Sequence, residues 1–174
     1  MWAKNGELAS GSGTNMHNDI ERYYNDIPVE NDSIEFGYFK QFVADYPDLK
    51  PYRTEWMVYY EELKLSGSID MVFENPDGTL SIYDWKRSKE ISKINTFNKF
   101  AINPLIGHFH DTNFWHYSLQ LNTYRKILES KYGKKVTKLC LVRLHPDAES
   151  YELLDVPLLD KELELLFEER KNTL

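Results

Sequence analysis

The stretch from Gly67 to Lys89, GSIDMVFENPDGTLSIYDWKRSK, constrains the fold of this chain more than any other. Two runs rich in β-branched and aromatic residues flank Asn75-Pro76-Asp77-Gly78-Thr79, with glycine where a three-residue hairpin loop needs φ > 0. A turn centred on Asp77 sets residue 74 opposite 80, 72 opposite 82 and 70 opposite 84. Asp70 and Asp84 then become cross-strand neighbours, with Cβ atoms about 4.5–5.5 Å apart, a position in which like charges destabilise a pair. A bulge closed by Gly78 would slip this register by one residue. Because strands alternate faces, Asp84 and Lys86 share one face while Tyr83 and Trp85 take the other. Two acids and an amine converge, and something must offset the repulsion.

At 174 residues with 41% hydrophobic content, the chain is long enough to bury a core as one domain, residues 1–174. No apolar run nears the roughly 18 residues of a membrane span, and no basic-then-apolar leader is readable. The expectation is a soluble, intracellular protein that is neither secreted nor held in a membrane. The single cysteine, Cys140, lies in an apolar run; it excludes a disulfide within the chain and a four-cysteine metal or iron-sulfur site, and reads as core filling.

The formal net charge of -7 argues at first against nucleic acid as a partner. Its distribution argues otherwise. Lys86, Arg87, Lys89, Lys93 and Lys99 are opposed between 86 and 99 only by Glu90. Arg125, Lys126, Lys131, Lys134, Lys135, Lys138 and Arg143 form a second basic stretch, and acids dominate the two ends. A basic middle fits local phosphate contacts; a solvated charged surface is the alternative.

Periodicity and turn residues predict an irregular, mobile start over 1–13, then a helix from Thr14 or Asn15 to about Asn25. A second helix capped by Ser33 carries the stripe Ile34, Phe36, Phe39, Phe42 and Val43 and ends at Pro47. A strand follows over Arg53 to Tyr60, then the hairpin, then a polar, partly helical stretch from Ser88 to Phe100. A long helix over Thr112 to Tyr132 is closed by Gly133. Strands over Val136 to His145 and Tyr151 to Val156 and a final helix over Asp160 to Lys171 complete the order. This order predicts an α/β fold, a mixed central sheet with helices on both sides.

A divalent cation is the simplest compensator for Asp70 facing Asp84, since Mg²⁺ and Mn²⁺ take oxygen ligands and adjacent strands supply two. Glu55, on the preceding strand and grouped by alternation with Met57 and Tyr59, and His17, on the first helix, can join them. A surface glutamate and a structural histidine are the plainer readings. His108, His110 and His116 match no zinc spacing. Their segment reads better as a strand-guiding element in which Lys93, Lys99, Phe109 and Trp115 offer phosphate contacts and stacking surfaces, or as core packing.

The order His17, Glu55, GSID ending in Asp70, YDWK with Asp84 and Lys86, and QLNTY with Gln120 and Tyr124 resembles the PD-(D/E)XK nuclease superfamily. Within it the chain is similar to the RecB-like exonuclease branch, which includes the CRISPR-adaptation nucleases and the mitochondrial genome maintenance exonuclease. The resemblance spans about residues 13 to 145 and implies a restriction-endonuclease-like mixed central sheet flanked by helices. It implies that His17, Asp70, Asp84 and the backbone carbonyl of Trp85 bind Mg²⁺ or Mn²⁺, with Glu55 holding or approaching a second ion. Lys86 would orient or activate the attacking water. Gln120 and Tyr124 would line the site and contact the strand, although one helix face packing on the sheet would place them equally well. With Arg87, Lys89, Lys93 and Trp115 they form the expected substrate-binding set. The implied activity is phosphodiester hydrolysis on single-stranded DNA or DNA ends, leaving a 5′-phosphate, in DNA repair or recombination. Without the cysteines of an iron-sulfur cluster the chain resembles the cluster-free members, and without a helicase motif any translocation would need a helicase or other replication or repair partner. An RNA endonuclease of the cap-snatching type and an inactive nucleic-acid-binding module of the same fold are the competing expectations.

Overall fold

The computed structural model describes residues 11, 15–94, 99–101 and 103–174. The expected irregular start over 1–13 falls, apart from Gly11, outside the described residues. Helix α1 covers residues 15–24 and α2 covers Ile34–Asp45; strands β1 (Lys50–Tyr60), β2 (Leu65–Glu74) and β3 (Leu80–Lys86) follow. Helix α3 (Asn113–Lys131), β4 (Val136–Arg143), β5 (Glu152–Val156) and α4 (Asp160–Thr173) close the order. The sheet runs β1-β2-β3-β4-β5, antiparallel throughout except for the parallel β3–β4 pair, which α3 connects. It is the mixed central sheet flanked by helices that the element order predicts.

Each face of the sheet buries its own core. Ile69, Val72, Leu80, Ile82, Leu139 and Leu141 pack against Leu121, Ile127 and Leu128 of α3 and Leu163 and Phe167 of α4. On the other face Met71, Phe73, Tyr83, Trp85 and Val142 meet Met16 and Ile20 of α1 and Phe36, Phe39 and Phe42 of α2. The alternation along β3, residues 80 and 82 one way and 83 and 85 the other, is what a strand buried on both faces requires.

Local chemistry sets the boundaries. Ser33 Oγ accepts the Phe36 amide at 3.2 Å and starts α2, whereas Gly133, at φ 63°, takes the left-handed position after α3. Gly78, at φ 85°, closes the hairpin, and Met71↔Tyr83 through Glu74↔Leu80 are paired in the register centred on Asp77, so the one-residue slip does not occur. β1 begins at Lys50, three residues before the expected start, because an edge strand tolerates Pro51. Ile34, expected in the stripe of α2, is 57% exposed in its first turn.

The stretch expected to be partly helical from Ser88 onward is irregular through Ile94. Its backbone is fastened by distant side chains. Arg143 Nη1 donates to Lys89 O at 3.0 Å, Asn113 Nδ2 to Glu90 O at 2.7 Å and Trp115 Nε1 to Lys93 O at 3.0 Å. The second basic stretch is committed in part: Arg125 pairs with Asp160 and Glu129, Lys131 with Glu62, and Arg143 lies 3.5 Å from Glu152. Cys140 is buried, and burial pushes its thiol up to about 12, in keeping with core filling. Among the described residues no helix is long and apolar enough to cross a membrane.

Phe39, fully buried, meets the rings of Tyr23, Tyr24 and Trp85 edge-on. Phe39→Ala is expected to lower the unfolding free energy in urea by about 3–5 kcal/mol, whereas loss of under about 1 kcal/mol would contradict a close-packed α2 layer.

Candidate active site

The sheet divides at its acidic row. β2 and β3 stay paired as far as Met71↔Tyr83 and then part, while β1 and β2 remain paired on either side of Glu55 and Asp70. Continuing both registers one step sets Glu55 opposite Asp70 and Asp70 opposite Asp84. Neither pair joins a ladder. Glu55 has a left-handed backbone, φ 43°, a conformation that costs a non-glycine residue about 1–3 kcal/mol. Ile69 packs under α3 and Met71 under α1 and α2. Residues two apart on a regular strand share a face, so the alternation turns over at Asp70.

Parting the strands leaves peptide groups to satisfy. The Trp85 N–H donates to Asp70 Oδ2 at 3.1 Å, and His17 Nε2 donates to the Trp85 carbonyl at 2.7 Å. The same His17 nitrogen lies 3.1 Å from Asp70 Oδ2. Met16 and Ile20, buried in the α1 layer, hold the helix that delivers the imidazole. On the next strand Lys86 Nζ approaches Asp84 Oδ2 to 2.8 Å, yet off the direction of a hydrogen bond, so that oxygen is buried without a hydrogen-bond partner.

Charge is unevenly shared. Burial, followed by the neighbouring Asp70 charge, raises Asp84 to about 7. Burial also pushes Asp70 up, but the hydrogen bond and charge of His17, with bonds from Asp84 and the Trp85 N–H, outweigh it and hold Asp70 low. Asp84 is therefore the member that keeps a proton. Glu55 is raised by burial and by Asp70, against a hydrogen bond from Ser68 Oγ at 3.1 Å. Burial works against the Lys86 ammonium, but Asp84 and Asp70 together raise it above its usual range.

Helix α3 roofs this row. Gln120 and Tyr124 fall at i and i+4 on one helix face, and the Tyr124 hydroxyl is raised by burial and by Asp84, with Gln120 acting the other way. Its ring lies on the backbone of β2, where a Cβ at Gly67 would stand 2.2 Å from Cε1; glycine is what allows the approach. The sequence reading missed Tyr117, whose ring centre lies 4.2 Å from Lys86 Nζ. Its spacing, three residues before Gln120 and seven before Tyr124, is the signal that would have found it.

His17, Glu55, Asp70, Asp84, Trp85, Lys86, Gln120 and Tyr124 are thus gathered at one place. The remaining expected contacts are not. Arg87 Nε is bound to the buried Glu35 at 3.1 Å, Lys93 stands over Phe114, and Trp115 is stacked on Phe109 with centroids 4.5 Å apart. Lys89 is exposed. His108 and His116 pair with Glu162 and Asp111. Among the described residues no three His, Cys, Asp or Glu side chains already stand as a metal-holding group; His17 and Asp70 instead bond each other and Trp85.

No family model matches the chain, and no curated protein matches it. Among solved structures it is similar to a candidate exonuclease from Eubacterium rectale, at 13% identity over 88% of this chain and 73% of that one, TM-score 0.40. It is also similar to the protein SSO0001, at 17% identity over 80% of this chain, TM-score 0.37, and spans 58% of that protein's length.

Two outcomes follow from this geometry. Gly67→Ala is expected to cost about 1–3 kcal/mol in chemical denaturation by forcing the Tyr124 ring away, and clearly less in a Tyr124→Ala background; equal costs in both would show that the two do not touch. In chelator, wild-type stability is expected to fall as pH rises from about 4 to about 7. Across that window the unfolded chain releases the Asp84 proton while the folded chain retains it. Asp84→Asn should flatten this dependence and stabilise the protein above pH 7, and an unchanged melting profile would contradict a buried, proton-retaining Asp84.

Proposed function

We propose that the chain is a metal-dependent nuclease that hydrolyses phosphodiester bonds in DNA, acting on single strands or ends. The observation that carries this reading is the row Glu55, Asp70 and Asp84 across three strands, with a histidine at one side and an ammonium at the other. Such a row is costly by itself: it crowds carboxyl groups so that Asp84 must keep a proton, strains Glu55 and buries an Asp84 oxygen without a hydrogen bond. A divalent cation would offset all three costs, and the donor set suits it, with carboxylates, a carbonyl and an imidazole suited to Mg²⁺ or Mn²⁺. His17, Asp70, Asp84 and the Trp85 carbonyl would hold it, with Glu55 at the edge of the row. The ion would supply Lewis acidity toward the phosphate and acidify water beside it.

The chain's own groups supply the rest. The Lys86 ammonium, held between Asp84 and the Tyr117 ring, is positioned to orient a water and to meet negative charge as it builds on the phosphate. Gln120 and Tyr124 form a polar wall above the row that would fix the strand. The exposed Lys89 and Lys93 stand on the segment leaving Lys86 and would contact phosphates along it. An inactive binding module has no use for the strained, self-repelling row, which favours the enzyme. Movement along DNA would fall to a partner such as a helicase.

End-labelled single-stranded DNA, duplex DNA and RNA incubated with Mn²⁺ test the proposal. Wild type should cleave DNA, and Lys86→Ala and Asp84→Asn should each lose roughly a hundredfold or more in rate. Cleavage undiminished in either variant would remove the site, and cleavage of RNA alone would make it a ribonuclease.

A further inference from the structure

A second concave site lies in the α1/α2 layer, away from the acidic row. A cleft of about 450 Å³ is walled by Tyr23, Tyr24, Phe42, Tyr46 and Phe73, and Asp26 is its one acidic residue. Among the described residues no lysine, arginine or histidine lines it. The carboxylate of Asp26 pairs with no cation among the described residues. Both helices meet the cleft at their C-terminal ends: α1 stops at residue 24, just before Asp26, and α2 at Asp45, just before Tyr46. The last carbonyls of α1 already accept from Asn25, Asp26 and Ile27, so the partial negative charge of a helix C-terminus reaches the cleft from α2, and aromatic ring faces attract cations. Tyr23 and Tyr46 are 38% and 41% exposed, so ring surface is available for such a contact. Asp26 is itself held at φ 59°, an unusual backbone for a residue other than glycine.

We propose that this cleft is a docking site for an arginine side chain of a protein partner. Charge complementarity favours this occupant: a carboxylate, the C-terminus of α2 and tyrosine rings, with no lysine or arginine lining the cleft among the described residues, present one sign of charge to one space. A guanidinium suits this set better than an ammonium because it stacks flat on aromatic rings while its fork of N–H groups meets a carboxylate. The volume falls in the range of pockets that take ligands larger than a single ion, about 300–1,000 Å³. This leaves room for the apolar neighbours of the arginine beside Val43 and Leu49. The proposal is independent of the nuclease reading.

The test follows the tyrosine ring signals by NMR while N-acetyl-arginine amide is added, with N-acetyl-citrulline amide as the neutral isostere and N-acetyl-lysine amide as the ammonium control. Saturable shifts of Tyr23, Tyr24 and Tyr46 are expected, with arginine binding at least fivefold tighter than citrulline and tighter than lysine. Asp26→Asn, which asparagine's tolerance of a left-handed backbone should leave folded, is expected to bring the preference over citrulline below twofold. Equal binding of arginine and citrulline, tighter binding of lysine, shifts without saturation, shifts confined to residues around Asp70, or an unaltered preference in Asp26→Asn would each overturn the proposal.

Discussion

The capping of one peptide unit by two side chains underlies the arrangement of this molecule. Where β3 leaves β2, the N–H and C=O of Trp85 pass from a strand partner to Asp70 and His17. A buried peptide group without a partner costs about 1–3 kcal/mol, so the parting of the strands and the placing of the acid and the imidazole are one event. The indole of the same residue anchors the α1/α2 layer against Phe39 and Phe42. One residue thus ties the core of one face to the polar centre of the molecule. Its indole N–H, buried without a hydrogen-bond partner among the described residues, is a cost that the structure leaves in place.

The charge pattern follows from topology more than from totals. The basic stretch around α3 and β4 looks in the sequence like a surface for phosphate, but β5 and α4 bring Glu152 and Asp160 to it and take up its Arg143 and Arg125. Asp160 and Glu62 are distant in sequence from the Arg125 and Lys131 that they meet in space. The positive groups nearest the acidic row belong to β3 and the segment after it, and of these Arg87 is spoken for by Glu35. Lys86 remains, and its ammonium is positioned by contacts from two elements, Asp84 on its own strand and Tyr117 on α3.

Much of this was legible because it is local. The loop composition fixed the hairpin centre, the centre fixed the register, and the register brought Asp70 to Asp84; Ser33 and Gly133 marked helix ends through the backbone chemistry they favour. What was not legible depends on contacts across the fold. Nothing near Asp70 announces that strand alternation turns over there, because the reversal reflects which core each neighbour joins. The left-handed Glu55 has no glycine to mark it. The segment from Ser88 lacks a helix because Arg143, Asn113 and Trp115 take its carbonyls, and Arg87 points to Glu35 because α2 packs where it does. Tyr117 was readable in principle from helical spacing, but only its position over Lys86 gives that spacing a meaning.

The central claim is that the acids are gathered for a cation. Calorimetric titration of the protein with Mn²⁺ tests it most directly, with Asp70→Asn as the comparison. Saturable binding by the wild type, lost or weakened at least tenfold in the variant, is the predicted result. No heat at millimolar Mn²⁺, or binding indifferent to the loss of the Asp70 charge, would contradict it.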